Sequence, residues 1–451
     1  MITCSIIKKS ELKDAKRLDA EYYQPEYFID FTKGDWRPIG EMLELCQYGL
    51  SQAMNDEGKG YPMFKMDNID NGFLLDNDVR FADITKLIFD QFEIKKDDVF
   101  FNRVNSEEFV GRTGIYKLAN LKSVFASYLI RARVKSDGKI LADYLNIFLN
   151  SSYGLKQIRK FTRRSVNQAN VNAEELKRMK IAILPMTEQE KIRDLSNRSW
   201  YEFERSKSLY SQAESLLLEG LELKDYKSKN ELRSVFNLSE IKKVNRIDAE
   251  YFQPKYQKVL SIIRANHGTT LGKIVTVKKG IEPGSEAYQE EGKLFVRVSS
   301  ISKDGIIGKD QKYLKNELYQ KLKKDYEPKV GDILLTKDAS PGMAYVVKEP
   351  LEGIISGGVL RIRLKEDIEP EYLALVINSM VGQSQVERDA GGSIISHWKP
   401  DQVKELQVPI LSQSIQQKIA DLVRQSHEAR KKTKQLLEKA KKKVEELIEN
   451  D

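Results

Sequence analysis

The side chains with the most chemistry to offer are cations, hydroxyls and amides spread through two stretches of the chain. In the first they are Lys65, Asn68, Arg103, Arg112, Arg163, Arg164 and Asn167; in the second, Arg297, Ser300, Lys337, Ser340, Ser393, His397 and Trp398. Arg and Lys neutralise phosphates, while Arg, Asn and Ser carry donors and acceptors that match base edges. Any one of them is equally well a solvated surface residue, but as two sets in corresponding places they are candidates for nucleic-acid contact. Covalent chemistry has less support. There is no Gly-x-x-x-x-Gly-Lys-Ser/Thr phosphate loop, no Gly-x-Gly-x-x-Gly, and no Asn/Asp-Pro-Pro-aromatic segment of the kind that holds an extruded base. His267, His397 and His427 stand in dissimilar contexts, and with Cys4 and Cys46 they cannot build a repeated zinc site.

The elements that position these residues are themselves duplicated. Arg17-Leu18-Asp19-Ala20-Glu21-Tyr22-Tyr23-Gln24-Pro25-Glu26-Tyr27 returns 229 residues later as Arg246-Ile247-Asp248-Ala249-Glu250-Tyr251-Phe252-Gln253-Pro254-Lys255-Tyr256. Ser10-Glu11-Leu12-Lys13 extends the match upstream, to Ser239-Glu240-Ile241-Lys242. Downstream, Asp98-Val99-Phe100-Phe101 answers Asp332-Ile333-Leu334-Leu335, and Ile130-Arg131-Ala132-Arg133-Val134 answers Leu360-Arg361-Ile362-Arg363-Leu364. Gln189, Lys191 and Ile192 answer Gln416, Lys418 and Ile419. An offset this large excludes a short-period solenoid. The match is weak from about 45 to 125 and about 277 to 350, so one frame carries two different inserts. A frame that does assembly and inserts that do recognition would give this pattern. The opening motif itself reads as a bracket fixing each module against a long helix.

At 451 residues the chain is long enough for two to four domains. No run of 18 apolar residues is present, and Met1–Lys9 lacks the apolar stretch and cleavage site of a signal peptide. Two cysteines confined to the first module point to a reducing compartment. A formal charge of +8 suits a polyanionic partner and is equally compatible with an ordinary protein.

Each module is expected to be a mixed α/β (α+β) domain. Short strands are expected at 98–103, 124–134, 294–298, 332–336 and 358–364, a helix at 141–161 and at 371–387, and a short basic helix at 256–265. A strand then ends at Pro185 or Pro409 and leads into a long helix, about 188–223 and 414–448. A seven-residue seam runs Ile192, Leu195, Ser199, Glu202, Ser206, Leu209, Ala213, Leu216 in the first, and Ile419, Leu422, Ser426, Ala429, Thr433, Leu436, Ala440 in the second. Neither seam is greasy enough to make a strong coil alone, so each helix is the other's natural partner. Trp200, Tyr201, Tyr210, Leu217 and Leu218 lie partly off the seam; they either pack on the adjacent module or form a docking face for another subunit.

The duplicated opening motif, the strands before Pro185 and Pro409, and the helix start Glu188-Gln189-Glu190-Lys191-Ile192 together resemble the specificity subunit of type I restriction–modification systems. The second copy departs at Gln416-Gln417. The resemblance implies two target-recognition domains, 1–186 and 229–412, and two antiparallel coiled-coil helices, 187–228 and 413–451, that separate them with pseudo-two-fold symmetry. It implies a non-catalytic cytoplasmic subunit that reads a bipartite site on double-stranded DNA. Its partners would be two adenine methyltransferase subunits and the restriction subunits. It would hold no cofactor itself, with S-adenosylmethionine, ATP and Mg on the partners. A self-contained DNA-modifying enzyme and a two-headed scaffold for proteins or RNA are the rival readings.

Overall fold

The computed structural model describes residues 6–8, 12, 17–118, 121–136, 138–166, 168–226, 235–244, 246–308, 311–390 and 396–450. Cys4, Ser10, Glu11, Lys13, Asn167 and Ser393 lie outside them. The chain forms two compact units, Met1–Glu204 with Lys431–Asp451, and Arg205–Arg430. The expected linear boundaries follow the repeat, whereas compactness assigns part of each long helix to each unit.

In unit 1 the elements that matter for function are strands β1 (Leu43–Tyr48), β2 (Val99–Asn102), β3 (Val104–Asn105), β4 (Thr113–Ile115), β5 (Leu129–Val134), β6 (Arg163–Ser165), β7 (Gln168–Asn170) and β8 (Lys180–Ala182). The helices are α1 (Ala142–Leu149), α2 (Ser152–Phe161), α3 (Ala173–Arg178) and α4 (Met186–Gly220). Unit 2 contributes β9 (Val275–Lys279), β10 (Ile333–Thr336), β11 (Asp338–Ala339), β12 (Ala344–Val346), β13 (Val359–Leu364), β14 (Ser396–His397) and β15 (Gln407–Val408). Its helices are α5 (Pro254–Ala265), α6 (Pro370–Asn378) and α7 (Met380–Asp389); α8 (Gln413–Glu449), like α4, contributes residues to each unit.

Both units are built on the same antiparallel core sheet, β1-β5-β2-β4 in unit 1 and β9-β13-β10-β12 in unit 2. Side chains alternate between its faces with the period of two that a strand imposes. Val99, Phe101, Ile130 and Ala132 join the core beneath the helices, and Phe100 and Leu129 join a second core on the opposite face. Ile333, Leu335, Leu360 and Ile362 repeat the first set, with Leu334 and Val359 repeating the second.

Of the charged residues kept in both copies, Asp98, Arg131, Asp332 and Arg361 are buried in the frame, with Arg133 and Arg363 at its edge. Asp98 accepts from Arg133 Nε at 2.6 Å and lies 3.7 Å from Arg131; Asp332 accepts from Arg363 Nε at 2.7 Å and lies 3.7 Å from Arg361. Each carboxylate also takes a backbone N–H, from Lys95 or Lys329, at 2.8 Å. A buried charge without such partners would cost several kcal/mol, which is why the Asp and Arg recur as a set.

The helix expected at 141–161 is two helices, α1 and α2, and that at 371–387 is likewise α6 and α7. The break falls at Ser151 and Ser379, each of which caps the second helix through its hydroxyl. Gly154 and Gly382 then pass so near the preceding helix that an added Cβ would meet the Phe148 or Ile377 carbonyl oxygen at 2.3 Å. The opening motif also differs from expectation. Arg17 pairs with Asp19 and donates to the Phe161 carbonyl at 2.9 Å; Arg246 pairs with Asp248 and donates to the Arg388 carbonyl at 3.2 Å. It therefore brackets the end of α2 or α7, not a long helix.

The long helices complete the cores. In unit 1, Ile192 and Leu195 of α4 share a core with Leu436, Leu437, Ala440 and Val444 of α8. Ser199 Oγ donates to the Thr433 carbonyl at 3.0 Å, and Lys443 pairs with Glu188 at 2.8 Å, so the segments run antiparallel. In unit 2, Ala213, Leu217 and Leu221 join Ile419 and Val423, and Ser426 Oγ donates to the Ser206 carbonyl at 2.8 Å. Gln189 explains the helix-start motif. Fully buried, it accepts from Leu141 N–H at 2.9 Å and donates to the carbonyls of Lys139 and Leu184 at 3.0 and 2.9 Å. Gln416 accepts from Glu369 N–H at 3.3 Å and donates to the Leu411 carbonyl at 2.9 Å. Gln189→Ala leaves three backbone groups without their side-chain partner, that of Leu184 buried, and should cost about 1–3 kcal/mol in urea denaturation, with Gln416→Ala costing less. Equal stability of Gln189→Ala and wild type would contradict this role.

Candidate nucleic-acid interface

The core sheet ends, in each unit, at a cation in the same place. Arg103 follows β2; its N–H bonds the Tyr128 carbonyl at 3.0 Å and its carbonyl accepts from Val171 N–H at 2.9 Å. Lys337 follows β10; its N–H bonds the Gly358 carbonyl at 2.9 Å and its carbonyl accepts from Trp398 N–H at 2.8 Å. The side chains then diverge. Arg103 donates to the Ser127 carbonyl at 2.9 Å and lies 4.8 Å from the centre of the Tyr48 ring. Lys337 is buried and sits 2.5 Å from Asp338, which also contacts His397 Nδ1 at 2.8 Å, so in unit 2 the groups facing outward at this place are Asp338 and His397. Burial would raise the Asp338 carboxyl, but hydrogen bonds from His397 and Lys337 outweigh it and hold the group below its ordinary value.

Three further segments flank Arg103. The hairpin β6–β7 is added to β3, pairing Ala169 with Asn105 and Arg164 with Ala169. Val166, near its tip, is 92% exposed. Asn105 reaches Met66 Sδ at 3.4 Å and so brings in the turn beginning at Lys65. Tyr128, next to Ser127, is exposed, and the Tyr48 hydroxyl accepts from Ala173 N–H at 2.8 Å. In unit 2, β14 is added to β11, pairing His397 with Asp338.

Several candidates are held by carboxylates. Arg163 pairs with Glu175 at 2.6 Å and Arg164 with Glu107 at 2.7 Å, the latter contact raising the Arg164 guanidinium above its usual value. Lys65 pairs with Asp78 at 3.0 Å. Arg112 lies over the Phe109 ring at 3.8 Å, and burial lowers its guanidinium below the usual range. Glu175 is buried, but the Arg164 and Lys65 pairs lie at the surface, where such pairs are weak, so there a phosphate can displace the carboxylate. A cavity of about 480 Å³ beside the hairpin is lined by Arg17, Asp19, Thr162, Arg163 and Arg164. Arg297 heads the turn equivalent to Lys65, and Ser340 is exposed beside Asp338.

Other candidates are corrected by their burial. Asn68 and Ser300 are buried at equivalent turns, where they accept from the N–H of Lys65 at 2.8 Å and of Arg297 at 3.3 Å. They shape those turns and cannot reach a base edge. Trp398 is fully buried in the unit 2 core, in the position that Val171 holds in unit 1. Of the proposed docking face, Trp200 packs on its own unit, 5.1 Å from Phe73 and 5.5 Å from Phe203 between ring centres. Leu217 is buried, and Tyr210 and Leu218 pack on the same core. Packing therefore accounts for four of these residues. Tyr201, 67% exposed, stays on the surface. His427 faces Lys348 and the Lys303 carbonyl, and burial lowers its imidazole to about 4.

Sequence reasoning missed Tyr48, Asn105, Tyr128 and Asp338. One signal was available: Gly49 and Gly280 follow β1 and β9 where an added Cβ would lie within 2.5 Å of backbone oxygens of the strand-turn opposite. A glycine forced by close approach marks that turn as part of the frame, and its neighbours as rim.

Among the described residues, no group of three or more His, Cys, Asp or Glu is placed to hold a metal ion, and no helix is long and apolar enough to cross a membrane. The repeated sheet with a cationic rim defines a two-headed recognition protein. Residues 34–195 and 231–442 match the type I restriction modification DNA specificity domain, and the chain belongs to that family. It is 24% identical over 459 residues to the putative type I restriction enzyme MjaX specificity subunit of Methanocaldococcus jannaschii, covering 95% of this chain and 97% of that one. It is 28% identical over 172 residues to the EcoKI specificity subunit of Escherichia coli, covering 38% and 36%. A crystal structure of the type I S subunit from M. genitalium aligns with a TM-score of 0.42 at 13% identity, over 94% of this chain and 97% of that one.

Burial separates two neighbours in sequence. Trp398→Ala empties a core site and should lower stability by about 3–5 kcal/mol in urea denaturation, while His397→Ala should stay within about 0.5 kcal/mol of wild type. The reverse order would contradict the assignment.

Proposed function

We propose that each unit reads one half of an asymmetric bipartite DNA target, through the rim around Arg103 in unit 1 and around Lys337 in unit 2. The observation that carries this is the equivalence of those two cations in backbone position, set against the difference in everything around them. A shared frame presents the rim to the duplex in one way; different side chains read different bases. The chain is the non-catalytic DNA-recognition subunit of a type I restriction–modification complex, which assembles with methyltransferase and restriction subunits. S-adenosylmethionine, ATP and Mg belong, on this reading, to those partners, and the complex works in the cytoplasm. The domains are then the recognition regions 1–186 and 229–412, with helices 187–228 and 413–451 as connectors. Lys65, Arg103, Arg112, Arg163, Arg164, Arg297, Lys337, Ser340 and His397 remain the contact candidates, together with Asn167 and Ser393, which lie outside the described residues, and Tyr201 remains the candidate for subunit docking.

Arg163 and Arg164 test the reading at single-residue level. Replacing either by Ala should weaken duplex binding. Loss restricted to one half-site identifies base readout, and uniform loss with a salt slope lower by about one identifies a phosphate contact. Full retention of affinity by both variants would remove the hairpin from the interface.

The long helices serve as a ruler in this account. Seven residues inserted between Ser206 and Ala213 keep the heptad register and add ~10.5 Å of helix, equal to about three base pairs at ~3.4 Å each. Bowing and offset against α8 absorb part of this, so a methylation map should show the gap between half-sites lengthened by about one to three base pairs, with the half-sites themselves unchanged. Altered bases with an unchanged gap would reject the ruler.

A further inference from the structure

The second unit fills a groove that the first leaves partly open. In unit 2, α5 lies across α7 and β15 and buries Tyr256, Val259, Leu260 and Ile263. These stand at i, i+3, i+4 and i+7, the anchor spacing of a helix laid in a groove. The equivalent floor in unit 1 is α2 with β8, and the same clamp identifies it. Gln157 exchanges two hydrogen bonds with the backbone of Lys180, at 2.8 and 2.7 Å, as Gln385 does with Gln407, at 3.0 and 2.9 Å.

No equivalent of α5 follows the opening motif of unit 1. Pro25–Tyr27 makes one 3₁₀ turn, and residues 28–31 run on without helix. Ile29 is buried there, but Phe28 is 73% exposed. A cavity of about 510 Å³ remains, lined by Tyr22, Tyr23, Phe31, Phe161 and three cations, Lys160, Arg178 and Lys180. The Lys160 and Lys180 ammoniums lie 4.8 and 4.7 Å from the Tyr22 and Phe31 ring centres.

Charge distinguishes the two grooves. The unit 2 residues standing where unit 1 has Arg178 and Lys180 are Glu405 and Gln407, and the helix across that groove is basic, with Lys255 paired to Glu387 at 2.8 Å. Lys160 over the Tyr22 ring is matched by Arg388 over the Tyr251 ring, so the grooves differ at Arg178 and Lys180, where unit 1 is positive. Resting on the specificity-subunit reading, we propose that this groove docks an acidic amphipathic helix of a partner subunit. Its apolar anchors enter the cavity and its carboxylates meet Arg178 and Lys180. Because α5 occupies the other groove, each chain takes one such helix.

The test uses the full chain assembled with its methyltransferase and restriction subunits. Zero-length carbodiimide coupling followed by mass spectrometry should join Lys160 or Lys180 to carboxylates clustered on one helix of a partner. Arg178→Glu with Lys180→Glu should lower affinity for that subunit tenfold or more. Arg178→Lys with Lys180→Arg should preserve it, and the methylated sequence should not change. Wild-type affinity in the charge-reversed chain, or coupling to no partner, would overturn the proposal. So would a loss confined to duplex DNA affinity with assembly intact, which would assign the groove to DNA. Failure of the wild-type chain to assemble would instead overturn the parent reading, and this proposal with it.

Discussion

Neither repeat closes its core with its own sequence. Unit 1 needs Leu436, Leu437, Ala440 and Val444 from the end of the chain, and unit 2 needs Ala213, Leu217 and Leu221 from the first long helix. Fully burying a leucine is worth about 1.5–3 kcal/mol, so each borrowed segment is a substantial part of a domain's net stability. The seam itself is poor in large apolar groups. Ser199, Glu202 and Ser206 are buried on α4, and Ser426, Ala429 and Thr433 on α8. Their hydroxyls bond across to the facing backbone. Small polar residues let the helices approach closely and fix their register, since slippage would strand each hydroxyl without its acceptor.

Recognition is placed where this frame does not depend on it. The buried carboxylates Asp98 and Asp332 with their arginines, the Gln189 and Gln416 latches and the order of the core sheets recur in both units. The rims do not. Arg103 stacks on a tyrosine where Lys337 meets an aspartate shared with a histidine. Rim side chains therefore change at little cost to folding, which lets one scaffold carry unrelated half-site specificities. The surface pair of Arg164 with Glu107 belongs to the same logic: it orients a cation without committing it.

The fold was largely legible because its signals are periodic or duplicated. The strand at 98–103 appears as β2, that at 332–336 as β10, and the basic helix at 256–265 as α5. The heptad seam was readable in both helices, since Ser, Ala and Thr kept the seven-residue spacing even where leucine was absent. The breaks at Ser151 and Ser379 were not, because an apolar stripe continues through both halves and only the capping hydroxyl interrupts it. Site residues were harder still. Residue type marked Asn68, Ser300 and Trp398 as readers, but Asn68 and Ser300 turn back onto the N–H three residues before them, and Trp398 is tied to a strand distant in sequence. Trp398 alternates inward because its N–H is tied to the Lys337 carbonyl, a pairing no local pattern reveals.

The central claim is that two independent readers share one frame, and a genome-wide methylation map addresses it most directly. Residues from about 40 to 175 would be exchanged for the corresponding insert of another specificity subunit, and the host's methylated sequences compared before and after. The account predicts that one half of the target changes while the other half and the gap persist. Change in both halves, or in neither, would contradict it.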